Sequence, residues 1–138
     1  MMDRLFLDTN IVIDLVGGRS PYDTDAARLM TRADRGDVEV VVTPLTIANT
    51  FYTVGRHADA DRLRQALRTL RTLVHLAPMH TDVVDRALGR SAPDFEDVLQ
   101  YEAAVSAGCT VLITRNARDF SFAHLPVMDA RAYWSAAR

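Results

Sequence analysis

A chain of 138 residues that is 49% hydrophobic and 25% charged is long enough to bury a core and too apolar to be disordered. No uninterrupted apolar run approaches the roughly 20 residues of a membrane helix, and a net charge of −2 excludes a general attraction to nucleic acid. We expect one domain spanning residues 1–138 that acts in the cytoplasm, because the single cysteine, Cys109, suits a reducing compartment.

Strand-like and helix-like segments alternate along the chain. Short apolar or β-branched runs predict strands at 4–7, 38–43, 74–76, 111–114 and 126–128. Helical spacing of apolar residues and flanking caps predict helices at about 10–16, 25–35, 45–57, 59–74, 81–88, 94–107 and 129–138. The alternation predicts an α/β fold with a parallel sheet covered on both faces.

The first predicted strand runs directly into Asp8, Thr9 and Asn10. An ionised carboxylate loses too much hydration inside a strand, whereas at the carboxyl end of a parallel strand it can face a ligand. Helix capping alone does not explain three polar residues in a row, so we predict that Asp8 belongs to a functional site. Asp14, nearly two turns further on, is expected to be a solvated helix residue.

A second polar cluster opens the helix predicted at 94–107. Asp94 follows a proline, and Glu96 and Asp97 lie in the first turn. Capping and a favourable interaction with the helix dipole are alternative explanations for Asp94 and Glu96. Asp97 precedes two apolar residues and is expected to point towards the sheet edge, which makes it the better ligand candidate.

A third polar cluster contains Thr114, Arg115, Asn116 and Asp119, and it follows the strand predicted at 111–114. Because the carboxyl ends of parallel strands and the N-termini of the following helices share one edge of the sheet, we expect the three clusters to meet there. Asp119 has an alternative role in starting a turn. Arg115 and its neighbour Arg118 are candidate contacts for phosphates.

Several carboxylates in a small volume repel one another unless a cation lies between them. Carboxylate oxygens suit Mg²⁺ or Mn²⁺, which keep coordination positions open for phosphate oxygens and water. The three clusters therefore predict a site that hydrolyses phosphodiesters with one or two bound metals.

Four segments of the chain resemble those of the PIN domain family, in the same order and with fitting spacings: LDTNIVIDL, TPLTIANTFYTVGR, DFEDVLQYEAAVSAG and VLITRNARDF. The resemblance covers nearly the whole chain. It implies a three-layer α/β/α fold with a central parallel sheet and a metal-dependent ribonuclease of the kind found in VapC toxins. It also implies an RNA substrate, a neutralising antitoxin protein and a homodimer.

Within that resemblance, Asp8 matches the first acidic ligand and Asp97 the acidic residue of the later helix. Asn49 lies where the helix after TPLT usually supplies a glutamate, and Asn116 matches the last acidic position, with Asp119 three residues on. The implied catalytic residues are Asp8, Asp97, Asn116 and Asp119, and the implied ligands of Mg²⁺ or Mn²⁺ are Asp8, Asp97 and Asp119. Supporting roles fall to Thr9, Asn10, Asn49, Asp94, Glu96 and Thr114, and RNA contacts to Arg115 and Arg118.

Two alternatives stay open. A non-catalytic PIN module that binds RNA or protein is consistent with the two asparagines, since an amide carries no charge and cannot act as a base. A phosphatase-like enzyme would carry a second acid two residues after a nucleophilic aspartate, and Asn10 stands at that place after Asp8.

Overall fold

The computed structural model describes residues 2–136. Within this range the strands are β1 Arg4–Leu7, β2 Glu39–Val42, β3 His75–Leu76, β4 Val111–Ile113 and β5 Val127–Met128. The α-helices are α1 Thr9–Gly17, α2 Tyr22–Asp34, α3 Pro44–Val54, α4 Ala60–Leu73, α5 Thr81–Leu88, α6 Phe95–Ser106 and α7 Ala130–Ala136. A short 3-10 helix, Ala117–Phe120, lies between β4 and β5.

The alternation of strands and helices predicted from the sequence is confirmed. The prediction for α2 is wrong at its start, because the helix begins at Tyr22 directly after Pro21, and proline is well tolerated where the first helical N–H groups need no partner. The 3-10 helix was not predicted, since four residues show no periodicity. The helix predicted at 129–138 corresponds to α7, and its last two residues lie outside the described range.

β1 lies at the centre of the parallel sheet, whose strand order is β3-β2-β1-β4-β5. Leu5 of β1 pairs with Val40 of β2 on one side, and Phe6 pairs with Leu112 of β4 on the other. The chain leaves β1 in one direction and later returns to its other side, so the strand order reverses at β1. In open parallel sheets, ligands bind in the crevice outside the carboxyl ends of the strands at such a reversal.

Side chains alternate between the two faces of the sheet. One face, which includes Leu5, Leu7 and Ile113, packs against α1, α2, α3, α4 and α7. The other face, which includes Phe6 and Leu112, packs against α5, α6 and the 3-10 helix. This arrangement is the three-layer α/β/α fold that was predicted. In residues 2–136 no helix is both long and apolar enough to span a bilayer.

Candidate active site

Asp8 ends β1 and caps α1. Its Oδ1 accepts a hydrogen bond from the Thr9 backbone N–H at 2.8 Å, and its Oδ2 accepts one from the Thr114 hydroxyl at 2.7 Å. The backbone N–H of Asp8 donates to the Ile113 carbonyl at the end of β4, at 2.9 Å. These three bonds fix a carboxylate that is only 8% exposed across the carboxyl ends of the two central strands.

The N-terminal turn of α6 brings Asp94, Glu96 and Asp97 to the same edge of the sheet. Asp94 caps the helix, because its Oδ1 accepts a hydrogen bond from the Asp97 backbone N–H at 3.1 Å. Asp94 and Glu96 are exposed, whereas Asp97 is partly buried. The capping role of Asp94 therefore coexists with its place among the acidic residues of this edge.

The segment after β4 completes the edge. Thr114 is fully buried, and its hydroxyl both donates to Asp8 and accepts a hydrogen bond from the Asn116 backbone N–H at 3.1 Å. Asn116 stands at the start of the 3-10 helix with an exposed side chain. The Asp119 N–H donates to the Asn116 carbonyl at 3.0 Å, so the helix holds Asp119 close to the end of β4.

Five carboxyl groups lie near one another at this edge: Asp8, Asp94, Glu96, Asp97 and Asp119. Burial, followed by the charges of the other four groups, raises the pKa of Asp97 to about 7. Burial also raises the pKa of Asp8, and the charges of Asp119 and Asp94 raise it further. The pKa of Glu96 is raised in the same way, by burial and then by Asp94 and Asp8. These carboxylates repel one another and would also repel an anion such as phosphate, unless a cation is bound among them.

Asn49, on α3, contacts this group from a different helix. Its Nδ2 donates a hydrogen bond to Oε1 of Glu96 at 2.8 Å. The bond lowers the pKa of Glu96, although burial and the neighbouring charges outweigh it. Glu96 is therefore held by a side chain of α3 in addition to its place in the first turn of α6.

A buried hydrogen-bond network next to the carboxylates was not predicted. The side chain of Gln100, fully buried, accepts a hydrogen bond from the Thr43 hydroxyl at 2.8 Å and donates to the hydroxyls of Thr46 at 3.0 Å and Thr9 at 3.3 Å. Thr43 also caps α3. The network ties the first turns of α1 and α3 to α6, one turn after Asp97. The signal available in the sequence was an amide one turn after Asp97 and one turn before Ala103 and Ala104.

Asp14 and Arg115 form an ion pair that links α1 to the segment after β4. Nε and Nη2 of Arg115 donate to the two Asp14 oxygens at 2.6 and 3.2 Å, and the guanidinium carbon lies 4.2 Å from the centre of the Tyr22 ring. Asp14 is fully buried, so the expectation that it is solvated is wrong. Its burial is possible because a partner 101 residues later satisfies both oxygens.

A cleft of about 500 Å³ opens beside the carboxylates. Asp94, Asp97 and Asp119 line it together with Arg90 and Arg118. Arg118 is exposed and takes part in no ion pair within residues 2–136. Acidic and basic groups therefore share one cleft, an arrangement that suits a phosphate placed between a bound cation and an arginine.

The chemistry of these donors fits a hard divalent cation. Carboxylate oxygens suit Mg²⁺ and Mn²⁺, and a cation among them would remove the repulsion that raises the pKa of Asp97. As the side chains stand, no three His, Cys, Asp or Glu residues in the described range are grouped closely enough to hold an ion. Asp8 is fixed by its hydrogen bonds and Glu96 is held through Oε1 by Asn49, whereas Asp119 is exposed, so ion binding requires less restrained side chains such as Asp119 to turn towards Asp8.

Comparison with known proteins identifies the family. A family model described as the PIN domain matches residues 4–118, which is most of the chain. The chain belongs to the PIN domain family. The resemblance that the four sequence motifs indicate is thereby confirmed. Ribonuclease VapC1 of Aquifex aeolicus (strain VF5) is a PIN relative that is 22% identical, over 86% of this chain and 85% of its own length.

Solved VapC structures share the PIN fold of this chain. VapC20 of Mycobacterium tuberculosis, described as a Sarcin-Ricin loop cleaving toxin, has a TM-score of 0.68 and 16% identity, covering 86% of this chain and 94% of its own. VapBC-1 of nontypeable Haemophilus influenzae has a TM-score of 0.67 and 19% identity, covering 93% and 98%. VapBC2 of Rickettsia felis, bound to a promoter DNA fragment, has a TM-score of 0.66 and 13% identity, covering 91% and 97%.

In this PIN fold the predicted site residues fall into distinct environments. The structure brings together the five carboxyl groups with Thr114 and Asn49, and it places Thr9 in the Gln100 network. Asn10 lies on α1 with its Oδ1 buried and without a hydrogen-bond partner among residues 2–136. Arg118 lines the cleft, whereas the guanidinium group of Arg115 is hydrogen-bonded to Asp14. The residues that sequence reasoning missed are Thr43, Thr46, Arg90 and Gln100.

Proposed function

We propose that this PIN protein is a divalent-metal-dependent endoribonuclease that hydrolyses RNA phosphodiester bonds and acts as the toxin of a toxin–antitoxin pair. The observation that carries the proposal is the group of five mutually repelling carboxyl groups at the carboxyl ends of β1 and β4, beside a cleft that also contains arginine. Without a cation this edge repels a polyanion, whereas with one it attracts a phosphate. The names of the relatives, ribonuclease and toxin, agree with this activity.

In the proposed site, Asp8, Asp97 and Asp119 hold Mg²⁺ or Mn²⁺. Such a cation, when bound, neutralises charge on the phosphate and lowers the pKa of water. Asp8 provides the fixed point of the site, because Thr114 and the end of β4 prevent its carboxylate from turning away. Asn116, exposed at the start of the 3-10 helix, offers an uncharged oxygen or an N–H donor to the phosphate without adding repulsion.

RNA phosphates are proposed to enter through the cleft beside the carboxylates. Arg118 is suited to this contact because its planar fork can bind two phosphate oxygens and no acidic group in the described range engages it. Arg115 was predicted to share this role. Because its fork is bound to Asp14, we propose instead that Arg115 anchors the segment that carries Asn116 and Asp119.

The same proposal includes an antitoxin protein, a homodimer and action in the cytoplasm. Two of the similar solved structures are of VapBC proteins, and the single cysteine, Cys109, is free and buried, as suits a reducing compartment. We expect a small protein encoded beside this chain to co-purify with it and to stop cleavage. Light scattering after size exclusion measures whether the chain forms a dimer.

Cleavage of a mixed panel of RNAs with Mg²⁺, Mn²⁺ or EDTA tests the activity. Wild type, Asp97→Asn and Asp37→Asn are compared, since Asp37 is exposed and precedes β2 at the opposite edge of the sheet. We expect metal-dependent cleavage by wild type and Asp37→Asn, and a loss of roughly 100-fold or more in Asp97→Asn, because even outer partners of a metal contribute 10- to 100-fold. Equal cleavage by all three proteins, or cleavage in EDTA, contradicts the proposal.

A second candidate function is a non-catalytic PIN module that binds RNA or protein. It is favoured by the absence, within residues 2–136, of three suitable side chains already grouped around one point. RNA binding without cleavage, equal in wild type and Asp97→Asn and unaffected by EDTA, would support this function over the nuclease.

A further inference from the structure

Asn49 and Glu96 are joined by a hydrogen bond between two helices at the border of the carboxylate group. Asn49 lies in the middle of α3 and Glu96 in the first turn of α6, 47 residues later. A long exposed carboxylate side chain is ordinarily free to sample many rotamers. The hydrogen bond from the Asn49 amide restricts the rotamers of Glu96 and so fixes the position of its carboxylate.

Glu96 lies at the same edge as the other acidic residues. It is next to Asp97 in the first turn of α6, and Asp94 caps the same helix through the Asp97 N–H. Asn49 uses only Oε1, and Oε2 of Glu96 accepts no hydrogen bond from residues 2–136. One oxygen is therefore fixed by the protein while the other is available to a ligand.

We propose that Glu96 is a direct ligand of the divalent cation and that Asn49 is the positioning residue that orients it. The inference rests on the proposed function and adds a fourth carboxylate to Asp8, Asp97 and Asp119. It gives a physical reason for an amide at position 49: a second carboxylate in contact with Glu96 would repel it, whereas an N–H donor holds it in place without changing the charge of the site.

Binding of Mn²⁺ alone, without RNA, tests this pair in the full chain. Electron paramagnetic resonance of the free ion gives the Kd for wild type, Asp97→Asn, Glu96→Gln, Asn49→Ala and the double variant Asn49→Glu with Glu96→Gln. The double variant moves the carboxylate to α3 and keeps an amide as its partner. Glu39→Gln is the matched control, since Glu39 pairs with Arg4 at the opposite edge of the sheet. Circular dichroism verifies that each variant is folded.

We expect Glu96→Gln to bind Mn²⁺ about tenfold or more weakly, Asn49→Ala to lose less, and the double variant to recover most of the affinity, since outer partners of a metal contribute 10- to 100-fold. Glu39→Gln should bind as wild type does. If Glu96→Gln matches Glu39→Gln while Asp97→Asn fails to bind, the inference is overturned and the proposed function stands. If wild type itself binds no Mn²⁺, both are overturned. The positioning role of Asn49 is overturned if Asn49→Ala binds Mn²⁺ as tightly as wild type does and the double variant binds it no more tightly than Glu96→Gln does.

Discussion

Arg115 donates two hydrogen bonds to Asp14, a residue with no exposed surface. The pair connects the segment that carries Asn116 and Asp119 to α1, the helix that Asp8 caps. The ion pair therefore adds a second connection between the first and third polar clusters, beside the hydrogen bond from Thr114 to Asp8, although it contributes no proposed ligand itself.

Arg115→Ala should destabilise the protein by about 2–3 kcal/mol, because it leaves the Asp14 carboxylate buried and unpaired. We place the effect at or below the low end of the range for buried pairs, since 29% of the Arg115 side chain is exposed and water screens it. Urea denaturation followed by circular dichroism measures the free energy of unfolding. In the double variant Asp14→Leu with Arg115→Met both charges are absent, so most of the stability should return; a double variant as unstable as the single one would contradict this account.

Gln100→Met should lower the free energy of unfolding by about 1–3 kcal/mol, because it keeps the side-chain volume but removes the buried hydrogen bonds that Gln100 makes with the Thr43 and Thr46 hydroxyls. Gln65→Met is the matched control, since Gln65 is exposed on α4 and surface substitutions usually change stability by less than about 0.5 kcal/mol. Chemical denaturation of both variants distinguishes the two positions. Equal midpoints would mean that the network adds no stability.

The stability of the metal-free protein should fall as pH rises through the range in which Asp97 loses its proton. The pKa of Asp97 is 3.8 as its ordinary value and about 7 in the folded protein, so the folded state binds the proton more tightly than the unfolded chain does. The contribution is fully present below about pH 4 and is lost by about pH 7 to 8. Thermal unfolding in EDTA measures it.

Asp97→Asn removes this titration, so the variant should unfold at a higher temperature than wild type at about pH 8 and at a similar temperature at about pH 4. Added Mg²⁺ should raise the midpoint of wild type at the higher pH and leave that of the variant nearly unchanged. Parallel pH profiles for the two proteins would show that Asp97 is not the group responsible.

Arg118→Gln should weaken RNA binding to a similar extent for different sequences and reduce the slope of log K against log salt by about one, as expected for one lost phosphate contact. Fluorescence anisotropy with Ca²⁺ in place of Mg²⁺ measures binding, since Ca²⁺ also takes carboxylate oxygens as ligands, and gel electrophoresis verifies that the RNA stays intact. Arg56→Gln serves as the control, because Arg56 is exposed after the end of α3, which begins at the carboxyl edge of the sheet and ends at the opposite one. An unchanged slope in Arg118→Gln would assign the phosphate contact elsewhere.

The strands and most helices could be predicted because local patterns define them. β1 matches its predicted bounds, and Asp59 and Asp94 cap α4 and α6 as capping residues should. The meeting of the three polar clusters could also be expected, since all strands of a parallel sheet end at one edge. These features follow from periodicity and from one general rule of topology.

The burial of polar side chains could not be predicted, because it depends on partners distant in the sequence. Asp14 has the sequence context of a solvated helix residue, and only Arg115 makes its burial possible. Gln100 needs hydroxyl groups from two other helices. The contact between Asn49 and Glu96 likewise depends on how α3 and α6 are placed side by side.

The central position of β1 has a consequence during protein synthesis. Asp8 is synthesised before its tertiary partners, which all come from residues 94 and later: Thr114, Ile113, Asp94 and Asp119. Until β4 has emerged from the ribosome, Asp8 lacks these partners and the proposed metal site cannot form. The proposed nuclease therefore gains its activity only after the segment up to Asp119 has been synthesised and released, which separates the synthesis of Asp8 from any cleavage of RNA.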